Sequence, residues 1–440
     1  MFHHHAVARP IAPLILALAI LLSCHRIMAA DTQSAAASNP QKHELFNVRD
    51  FGARGDGLTK DTVALQKALD ACSSSGGGTV LIPPGTYLTG SIVMGSNTSL
   101  NLENRASLVG SPDIEDYPLT KVRWEGEFAQ GHRALISAAK ASHIAILGPG
   151  SIFGPPIHLS RLRDPRGPAL IEPVECTDVL LDGFTILYQR LWTIHPLLCK
   201  HFVARNLTIR TVNTNSDGID VDSCSDVLIE RCSIDTGDDA IALKSGRGLE
   251  AAQLGHPTED VLIRDCTLVS SLFAGIGIGT ELSGGIRNVR IQNCTISGKG
   301  NGIVIKSRDG RGAVVDNVSG ENLVIINSPT FLSIDLLKRG IQASAPVPGE
   351  IEQWTQVRNL RFTGIQVSNV QQLVSATKIP PERPVQGLIL SDIRGTCEQA
   401  ISLAHANDVA LSAIAVTGFQ GPLVTAENVK GTGLSNAALR

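Results

Sequence analysis

Residues 176–186 read CTDVLLDGFTI, and the same pattern returns as CKHFVARNLTI at 199–209 and as CSDVLIERCSI at 224–234. Each copy alternates apolar and polar residues and is bounded by Asn, Asp or Gly, which is typical of a short β-strand between two turns. Two further copies lie at 258–268 and 286–296, and fainter ones lie at 142–152, 316–325, 358–367, 386–393 and 407–416.

The spacing of these copies indicates the fold class. The interval is 23 residues from Val179 to Phe202 and 25 from Phe202 to Val227, and later intervals are longer. A strand repeat of roughly 20–50 residues indicates a solenoid or a propeller. The copies lack the Trp-Asp and paired-Gly marks of propeller blades, and nothing helical lies within the repeat. We therefore predict an all-β, single-stranded right-handed parallel β-helix, with a propeller as the alternative. The equivalent positions are Ile144, Val179, Phe202, Val227, Val261, Val289, Leu360, Leu388 and Val409.

Six cysteines recur at two positions of the repeat. In a parallel solenoid such positions stack about 4.8 Å apart, and small, soft Cys suits a buried ladder. The alternative is a disulfide framework, which a chain of this length does not need in order to bury a large core. The two sets are Cys176, Cys199 and Cys224, and Cys232, Cys266 and Cys294.

The ends of the chain differ from the repeat. Residues 1–30 predict a signal peptide, because the apolar run 11–22 is too short to span a bilayer. In the alternative interpretation, Cys24 carries a lipid anchor. Residues 31–43 predict a disordered leader, 44–430 the β-helix domain and 431–440 a C-terminal tail. The protein is thus expected to be secreted or periplasmic, without a membrane span, and a monomer.

One amphipathic helix is predicted before the repeat. Leu65, Ala68, Leu69 and Cys72 follow Asp61 at helical spacing, and this helix is expected to cap the open end of the solenoid. The net charge of −3 argues against a nucleic-acid partner, and an aromatic content of 4% argues against an aromatic-lined cleft for a neutral sugar.

The residues that carry chemistry follow two successive copies of the repeat. Asp217 lies in the run Asn215 to Asp220, and Asp238 and Asp239 follow Gly237. Crowded carboxylates repel one another, so such a cluster is costly unless a ligand, a metal or acid/base chemistry uses it. The turns themselves use Asp for hydrogen bonding, and that structural role is assigned to Asp220, Asp222 and Asp226.

Several segments together resemble bacterial and plant members of the polygalacturonase family, glycoside hydrolase family 28. The resemblance covers roughly residues 44–430 and implies a right-handed parallel β-helix that hydrolyses pectic poly- or oligosaccharides with inversion and without a metal or organic cofactor. The segments are Asp50 to Gly57, Pro84 to Gly90, Trp192 to Pro196, Asn215 to Cys224, Gly237 to Gly246, Gly279 to Gly285 and Gly302 to Gly312.

The resemblance also implies roles for residues. Asp217 matches the Asp of the family's Asn-Thr-Asp motif, with Ser216 in place of Thr, and Asp238 and Asp239 match its paired Asp. By this match Asp238 is the general acid, while Asp217 and Asp239 activate water. Such a division needs one carboxyl protonated while another is ionised. Substrate binding is assigned to Asn215, Lys244, Lys306, His195, Glu281 and Phe273, with a structural His in a turn as the alternative for His195.

Two positions depart from the family pattern. Phe273 stands where the family has the His of Gly-His-Gly, and Val304 stands where it has the Arg of Arg-Ile-Lys; Lys306 is retained. Loss of a bidentate Arg matters at an anion site, and Arg308 and Arg311 are candidates to compensate. These departures predict an altered subsite for an exo-acting enzyme or a side-chain-bearing pectic substrate.

Two other classes compete with the hydrolase. A β-helix pectate or pectin lyase would abstract a proton with a Lys or Arg base, often beside Ca²⁺ held by carboxylates. A non-catalytic carbohydrate-binding β-helix would have lost its activity through the changes at Phe273 and Val304.

Overall fold

The computed structural model describes residues 44–158, 164–211, 213–338, 347, 349, 351–434 and 437–439. All of them lie in one compact unit, Glu44–Arg440. The predicted signal peptide, the predicted leader and Cys24 lie outside the described residues. No helix of the described part of the chain is long and apolar enough to cross a bilayer.

Short strands make up most of the described chain. Two α-helices, α1 (Thr62–Ser74) and α2 (Gly248–Leu254), and 3-10 turns at Val48–Phe51, Ile114–Asp116 and Ile351–Gln353 interrupt them. The strands are β1 (Leu45–Asn47), β2 (Asp56–Lys60), β3 (Gly78–Ile82), β4 (Gly85–Thr89), β5 (Ile92–Met94), β6 (Thr98–Leu102), β7 (Ala106–Gly110), β8 (Leu119–Trp124), β9 (Glu127–His132), β10 (Ile136–Ala139), β11 (Ser142–Leu147), β12 (Ser151–Phe153), β13 (Ile171–Val174), β14 (Thr177–Asp182), β15 (Thr185–Leu187), β16 (Lys200–Arg205), β17 (Thr208–Arg210), β18 (Ile219–Asp222), β19 (Ser225–Glu230), β20 (Ser233–Thr236), β21 (Ile241–Lys244), β22 (Thr258–Arg264), β23 (Thr267–Ser270), β24 (Ala274–Ile278), β25 (Ile286–Gln292), β26 (Thr295–Gly298), β27 (Asn301–Lys306), β28 (Val314–Ile326), β29 (Thr330–Asp335), β30 (Gln356–Lys378), β31 (Val385–Thr417), β32 (Val424–Thr432) and β33 (Ala437–Leu439).

Strands of successive repeats pair in parallel and in register, which confirms the predicted parallel β-helix. The apolar position predicted from sequence forms one continuous row from Ile144 through Val179, Phe202 and Val227. The row continues through Val261, Val289, Val318, Leu360 and Leu388. Each of these side chains is buried, so the row forms part of the core inside the coil.

The strands form three parallel ladders, one for each side of the coil. The first ladder contains β11, β14, β16, β19, β22 and β25, and the second contains β12, β15, β17, β20, β23 and β26. The third ladder runs through β5, β10 and β13 and, by single bridges at Ile194, on to β18, β21, β24, β27 and β29. It carries the candidate site.

Helix α1 packs its apolar face on the beginning of the coil, as predicted. The side chains of Leu65, Ala68, Leu69 and Cys72 are buried, and the helix contacts β1, β3, β5 and β6. Asp61 stands at the N-cap position, but its carboxylate accepts hydrogen bonds from the backbone of the preceding loop at 2.7 and 3.0 Å and not from the helix. It therefore ties the helix start to that loop.

Residues in the left-handed region stack at the corners of the coil. Asp260, Asn288 and Asn317 have φ of 54–56° on successive repeats. The Asn288 amide donates to Asp260 Oδ1 at 2.9 Å, and the Asn317 amide donates to Asn288 Oδ1 at 2.9 Å. Asn and Asp tolerate this backbone region better than other non-Gly residues, which explains why they bound each copy of the repeat.

The cysteine ladders form without disulfides. All eight described cysteines are free and buried. Neighbouring members lie close together, since the Cys199 backbone N–H points to Cys224 Sγ at 3.3 Å, and the thiols of Cys199 and Cys224 each donate to a nearby backbone carbonyl. The prediction of unbridged stacked thiols is confirmed.

Two insertions leave the repeat and fold over the third ladder. The antiparallel hairpin β8–β9 sends Arg123 Nη1 to Asp222 Oδ1 at 3.1 Å. The tip of the hairpin is held by Arg247, which precedes α2 and whose backbone N–H donates to the Gly126 carbonyl at 2.9 Å. Helix α2 does not belong to the repeat pattern and was not predicted.

Thiol labelling tests the unbridged ladders. In the folded protein, we expect iodoacetamide to leave the eight described cysteines unmodified because they are buried. After denaturation without a reductant, mass spectrometry should find all eight alkylated. A cysteine that becomes reactive only after reduction would contradict the described thiol state. Labelling of the folded chain to the same extent would contradict burial.

Candidate active site

A cavity of about 320 Å³ opens on the outer face of the third ladder. Alternation along β18, β21, β24 and β27 places one set of side chains in the core and the other on this face. The lining residues are Trp124, Glu125, Trp192, Asn215, Asp217, Asp238, Asp239, Lys244, Phe273, Gly279, Thr280, Glu281, Lys306, Arg308 and Lys338.

The three predicted catalytic carboxylates meet in this cavity. Asp217 lies just before β18, and Asp238 and Asp239 lie just before β21 on the next repeat. The Gly218 N–H donates to the Asp239 carbonyl at 3.0 Å, so the two turns are held together by their backbones. One carboxylate oxygen from each Asp lies within 4.8 Å of the others.

A glycine on the following repeat provides the space for one carboxylate. Gly277 occupies an outward position of β24, and a Cβ there would lie 2.3 Å from Asp239 Oδ2. Such a contact is shorter than side chains tolerate, so any larger residue would displace Asp239. The position of this carboxylate thus depends on the absence of a side chain 38 residues further along the chain.

Asp238 is held in place by two backbone hydrogen bonds. Its two oxygens accept from the backbone N–H groups of Asn215 at 3.0 Å and Asp239 at 2.9 Å. Burial, followed by the negative charges of Asp217 and Asp239, raises its pKa to about 8. The carboxyl group is therefore largely protonated below about pH 8.

Asp217 interacts with a fourth carboxyl group, Asp220, which also faces outward from β18. Burial, followed by the charge of Asp220, raises the pKa of Asp217 well above its ordinary value. Burial also raises the pKa of Asp220, to about 6, against the effect of Lys244 at 3.1 Å. The structural role assigned to Asp220 from sequence overlooked this pairing.

Lys244 is enclosed by acidic and aromatic groups. Its Nζ lies 3.7 Å from Asp217 Oδ2, 4.0 Å from Glu281 Oε1 and 3.9 Å from the centre of the Trp192 ring. Burial lowers its pKa, but Glu281, Asp220 and Asp217 more than offset this and raise it well above the ordinary value. The ammonium therefore stays charged and balances the acidic cluster.

Lys306 balances the negative charge of Asp239 in the same way. Its Nζ lies 2.7 Å from Asp239 Oδ2, and this contact outweighs burial and raises the pKa of the lysine. The three clustered carboxylates have the spacing of a cation site. However, two ammonium groups already neutralise them at close range, so their charge balance does not require a divalent metal ion.

His195 does not line the cavity, contrary to its predicted place there. Its ring is fully buried, with Nδ1 2.8 Å from Glu172 Oε1 and Nε2 3.7 Å from Asp222 Oδ2. The residue faces outward from the third ladder, but the Trp192 ring packs edge-on against it at 4.9 Å, and hairpin β8–β9 brings Arg123 to Asp222. The contacts made by Trp192 and by the hairpin therefore bury His195.

Aromatic side chains line the cavity, which corrects the expectation drawn from composition. Trp124 and Trp192 lie 4.6 Å apart between ring centres, and Phe273 is 43% exposed with Lys306 Nζ 5.9 Å from its ring. A low overall aromatic content does not report on how the few aromatic residues are placed. Such rings provide flat apolar surfaces for a ligand.

The remaining predicted residues divide between the cavity and its support. Asn215 and Glu281 line the cavity, as does Arg308. Arg311 is fully buried, and its Nε donates to the Thr280 carbonyl at 2.9 Å, so it supports the cavity wall and does not face a ligand. Sequence reasoning missed Trp124, Glu125, Thr280 and Lys338, which lie in segments outside the repeat copies.

Comparison with known proteins adds independent information. The sequence model of the family described as glycosyl hydrolases family 28 matches residues 72–373. A "Probable polygalacturonase" of Vitis vinifera is 33% identical over 310 residues, which cover 67% of this chain and 62% of that protein. An "Exo-poly-alpha-D-galacturonosidase" of Dickeya chrysanthemi is 23% identical over 68% of this chain and 58% of that protein. The chain thus spans about three-fifths of the length of these curated relatives.

Solved structures share the fold. A hyperthermoactive exopolygalacturonase of Thermotoga maritima superposes with a TM-score of 0.70 at 26% identity, covering 90% of this chain and 93% of that one. A family 28 exopolygalacturonase of Yersinia enterocolitica gives a TM-score of 0.73 at 21% identity, covering 89% and 78%. The second likeness concerns the fold alone.

The raised pKa of Asp217 predicts a pH-dependent stability defect. Because the folded pKa lies above the ordinary 3.8, this group's contribution to stability is complete below about pH 3.8 and is lost as the pH rises toward the folded pKa. Asn cannot ionise, so the substitution removes this loss of stability at high pH. Asp217→Asn should therefore raise the Tm by about 2 °C or more at about pH 8 and leave it unchanged near pH 3.5.

The matched control is Asp226→Asn, since that side chain is 62% exposed. We expect it to show no such pH-dependent gain. A stabilisation by Asp217→Asn that is equal at both pH values would contradict the electrostatic explanation.

Proposed function

Because the chain belongs to glycosyl hydrolases family 28, we propose that it is a glycosidase that hydrolyses pectic poly- or oligosaccharides. The observation that carries this proposal is the contrast within the carboxylate cluster. Asp238 is held protonated by burial and neighbouring charge, while Asp239 is in an ion pair with Lys306 at 2.7 Å. Glycoside hydrolysis needs one carboxylic acid and one carboxylate beside the same bond.

The proposed reaction assigns each proton to a group. Asp238 donates its proton to the glycosidic oxygen, and the bond from that oxygen to the anomeric carbon breaks. Asp239 accepts a proton from a water molecule, whose oxygen forms the new bond to the anomeric carbon. Asp217, with an oxygen within 4.8 Å of both other carboxyl groups, orients this water. Asp239 then releases its proton to bulk water and Asp238 takes one up, which restores the base and the acid.

Lys244 and Lys306 argue against a lyase. A lysine that abstracts a proton must be neutral, which requires a lowered pKa. Both lysines that contact the cluster have raised pKa values and are in ion pairs with it. The same contacts argue against a merely binding protein, since they maintain a costly cluster that binding alone does not need.

The small volume of the cavity supports attack at the end of a chain. Its volume of about 320 Å³ is at the lower end of ligand pockets, which span roughly 300–1,000 Å³. Trp124 and Glu125, from the hairpin, wall it on one side. We propose exo action or acceptance of a decorated substrate, in keeping with the altered positions Phe273 and Val304. The relatives named for exo activity agree with this.

The proposed location of the protein is inferred from its proposed substrate. Pectic polymers lie outside cells that consume them, so we propose secretion or a periplasmic location, with the protein acting as a monomer. His195 is proposed as a positioning residue that holds Asp222 and Trp192 in place, because its contacts are with those groups and with Glu172.

Asp238→Asn tests the acid. We expect kcat on pectic oligosaccharides to fall by about 10²–10⁴-fold, since Asn cannot donate the required proton. Reducing-sugar release is the measurement, with Asp226→Asn as the control and a panel of linear and decorated substrates.

A chelator should have no effect, and no absorbance from an unsaturated product should appear. Release that requires a divalent metal, or the appearance of that absorbance, would support the lyase. Equal rates on linear and decorated substrates would contradict the altered subsite.

The stereochemistry of the product provides a second test. Carboxyl groups lie roughly 6.5–9.5 Å apart in most inverting enzymes and about 5–5.5 Å apart in retaining ones. The nearest oxygens here lie within 4.8 Å. We nevertheless expect inversion, because in the proposed reaction a water, and not a carboxylate, attacks the anomeric carbon. Proton NMR of the first product anomer measures this. Retention would make Asp239 or Asp217 a nucleophile.

A further inference from the structure

Three lysines line the cavity, and two of them are already engaged. Lys244 is enclosed by Asp217, Asp220 and Glu281, and Lys306 is paired with Asp239. Their charges balance the catalytic cluster, so neither ammonium is at the disposal of a ligand. Any anionic group of a substrate needs a different cation.

The third lysine, Lys338, fits this requirement. It follows strand β29, and its backbone N–H donates to the Ser307 carbonyl at 3.0 Å, which fixes it beside Lys306. Its side chain is half-buried and lines the cavity. Within the part of the chain that the structure describes, its ammonium makes no hydrogen bond or ion pair. Burial, followed by the charge of Lys306, lowers its pKa.

An ammonium group in these surroundings lacks a compensating negative charge. Partial removal from water disfavours its charge, and the nearby Lys306 repels it. A bound anion would relieve both effects. Arg308, which also lines the cavity, adds positive charge to the same region.

Val304 explains why such a cation is needed here. It occupies the same outward row of β27 as Lys306, two residues earlier, but it has no charge and does not line the cavity. Among the described residues, the repeat that carries the retained lysine therefore offers the ligand no unpaired cation of its own. Lys338 reaches the cavity from the following repeat, since Lys306 pairs in register with Asp335, three residues before it.

We propose that Lys338 binds the carboxylate of a uronic acid residue in the substrate and so determines specificity for the acid over its ester. This inference rests on the proposed glycosidase function. The contact is made to a part of the sugar that does not react. Its loss should therefore weaken substrate binding more than it slows the chemical step.

Kinetics on paired substrates test the proposal. The probes are trigalacturonate and its methyl ester, assayed with wild type, Lys338→Met and Lys338→Arg. Lys338→Met should raise KM for the acid about 10-fold or more, with kcat within about 3-fold and the ester unaffected. Lys338→Arg should retain most of the affinity. The control is Lys378→Met, because Lys378 is 67% exposed, pairs with Asp335 and lies outside the cavity.

Three results would overturn the proposal. They are an unchanged KM for the acid in Lys338→Met, an equal loss for acid and ester, or an equal effect of Lys378→Met. Failure of the glycosidase function is distinguishable, because wild type would then hydrolyse neither probe. Titration calorimetry then decides the carboxylate site. Wild type should bind trigalacturonate more tightly than the ester, and Lys338→Met should abolish this preference; wild-type binding without such a preference would refute the site.

Discussion

The parallel hydrogen-bonded register between successive repeats is the constraint on which the rest of this structure depends. It fixes each residue directly against its equivalent on the next repeat, so the row from Ile144 to Leu388 stays in the core without a break. The same register fixes the outward rows. Asp222 faces Lys244, Val304 faces Gly277 and Lys306 faces Asp335. Groups that are 20 to 40 residues apart in sequence thus become neighbours about 4.8 Å apart, through contacts between adjacent repeats alone.

Electrostatics then decides what these neighbours do. Four carboxyl groups in one buried cluster would repel one another strongly, and the cluster is stable because two lysines compensate its charge and Asp238 is held protonated. The compensation is uneven. Lysine charge lies next to Asp239 and Asp220, while Asp238 receives only backbone N–H groups. This asymmetry separates an acid from a base in one small volume, and it does so with residues of a single type.

The sequence predicted the fold and the cluster well because both are periodic. Alternation along each copy predicted strands, the recurrence of copies predicted their stacking, and the turn that ends one repeat had to lie against the next. The same alternation also placed Asp220 and Asp222 on the outer face, a signal that was available but was assigned to turns. What could not be predicted depends on the insertions. The hairpin carries Trp124 and Arg123 across the third ladder, which buries His195 and lines the cavity with aromatic rings. No period in the sequence reports where such a segment folds back.

The unequal spacing of the repeats distinguishes the strands, whose length is constrained, from the loops, whose length varies. The interval between equivalent residues varies from 23 between Val179 and Phe202 to 42 between Val318 and Leu360, yet both pairs are adjacent in the core. The extra residues leave through loops, as helix α2 does. An insertion or deletion of one residue inside a strand would turn every core side chain that follows it in that strand outward. Such a change would disrupt the core. A change of length in a loop leaves the ladder intact and reshapes only the rim of the cavity. Lengthening a loop can therefore change which ligands the cavity admits while the carboxylate cluster stays in place.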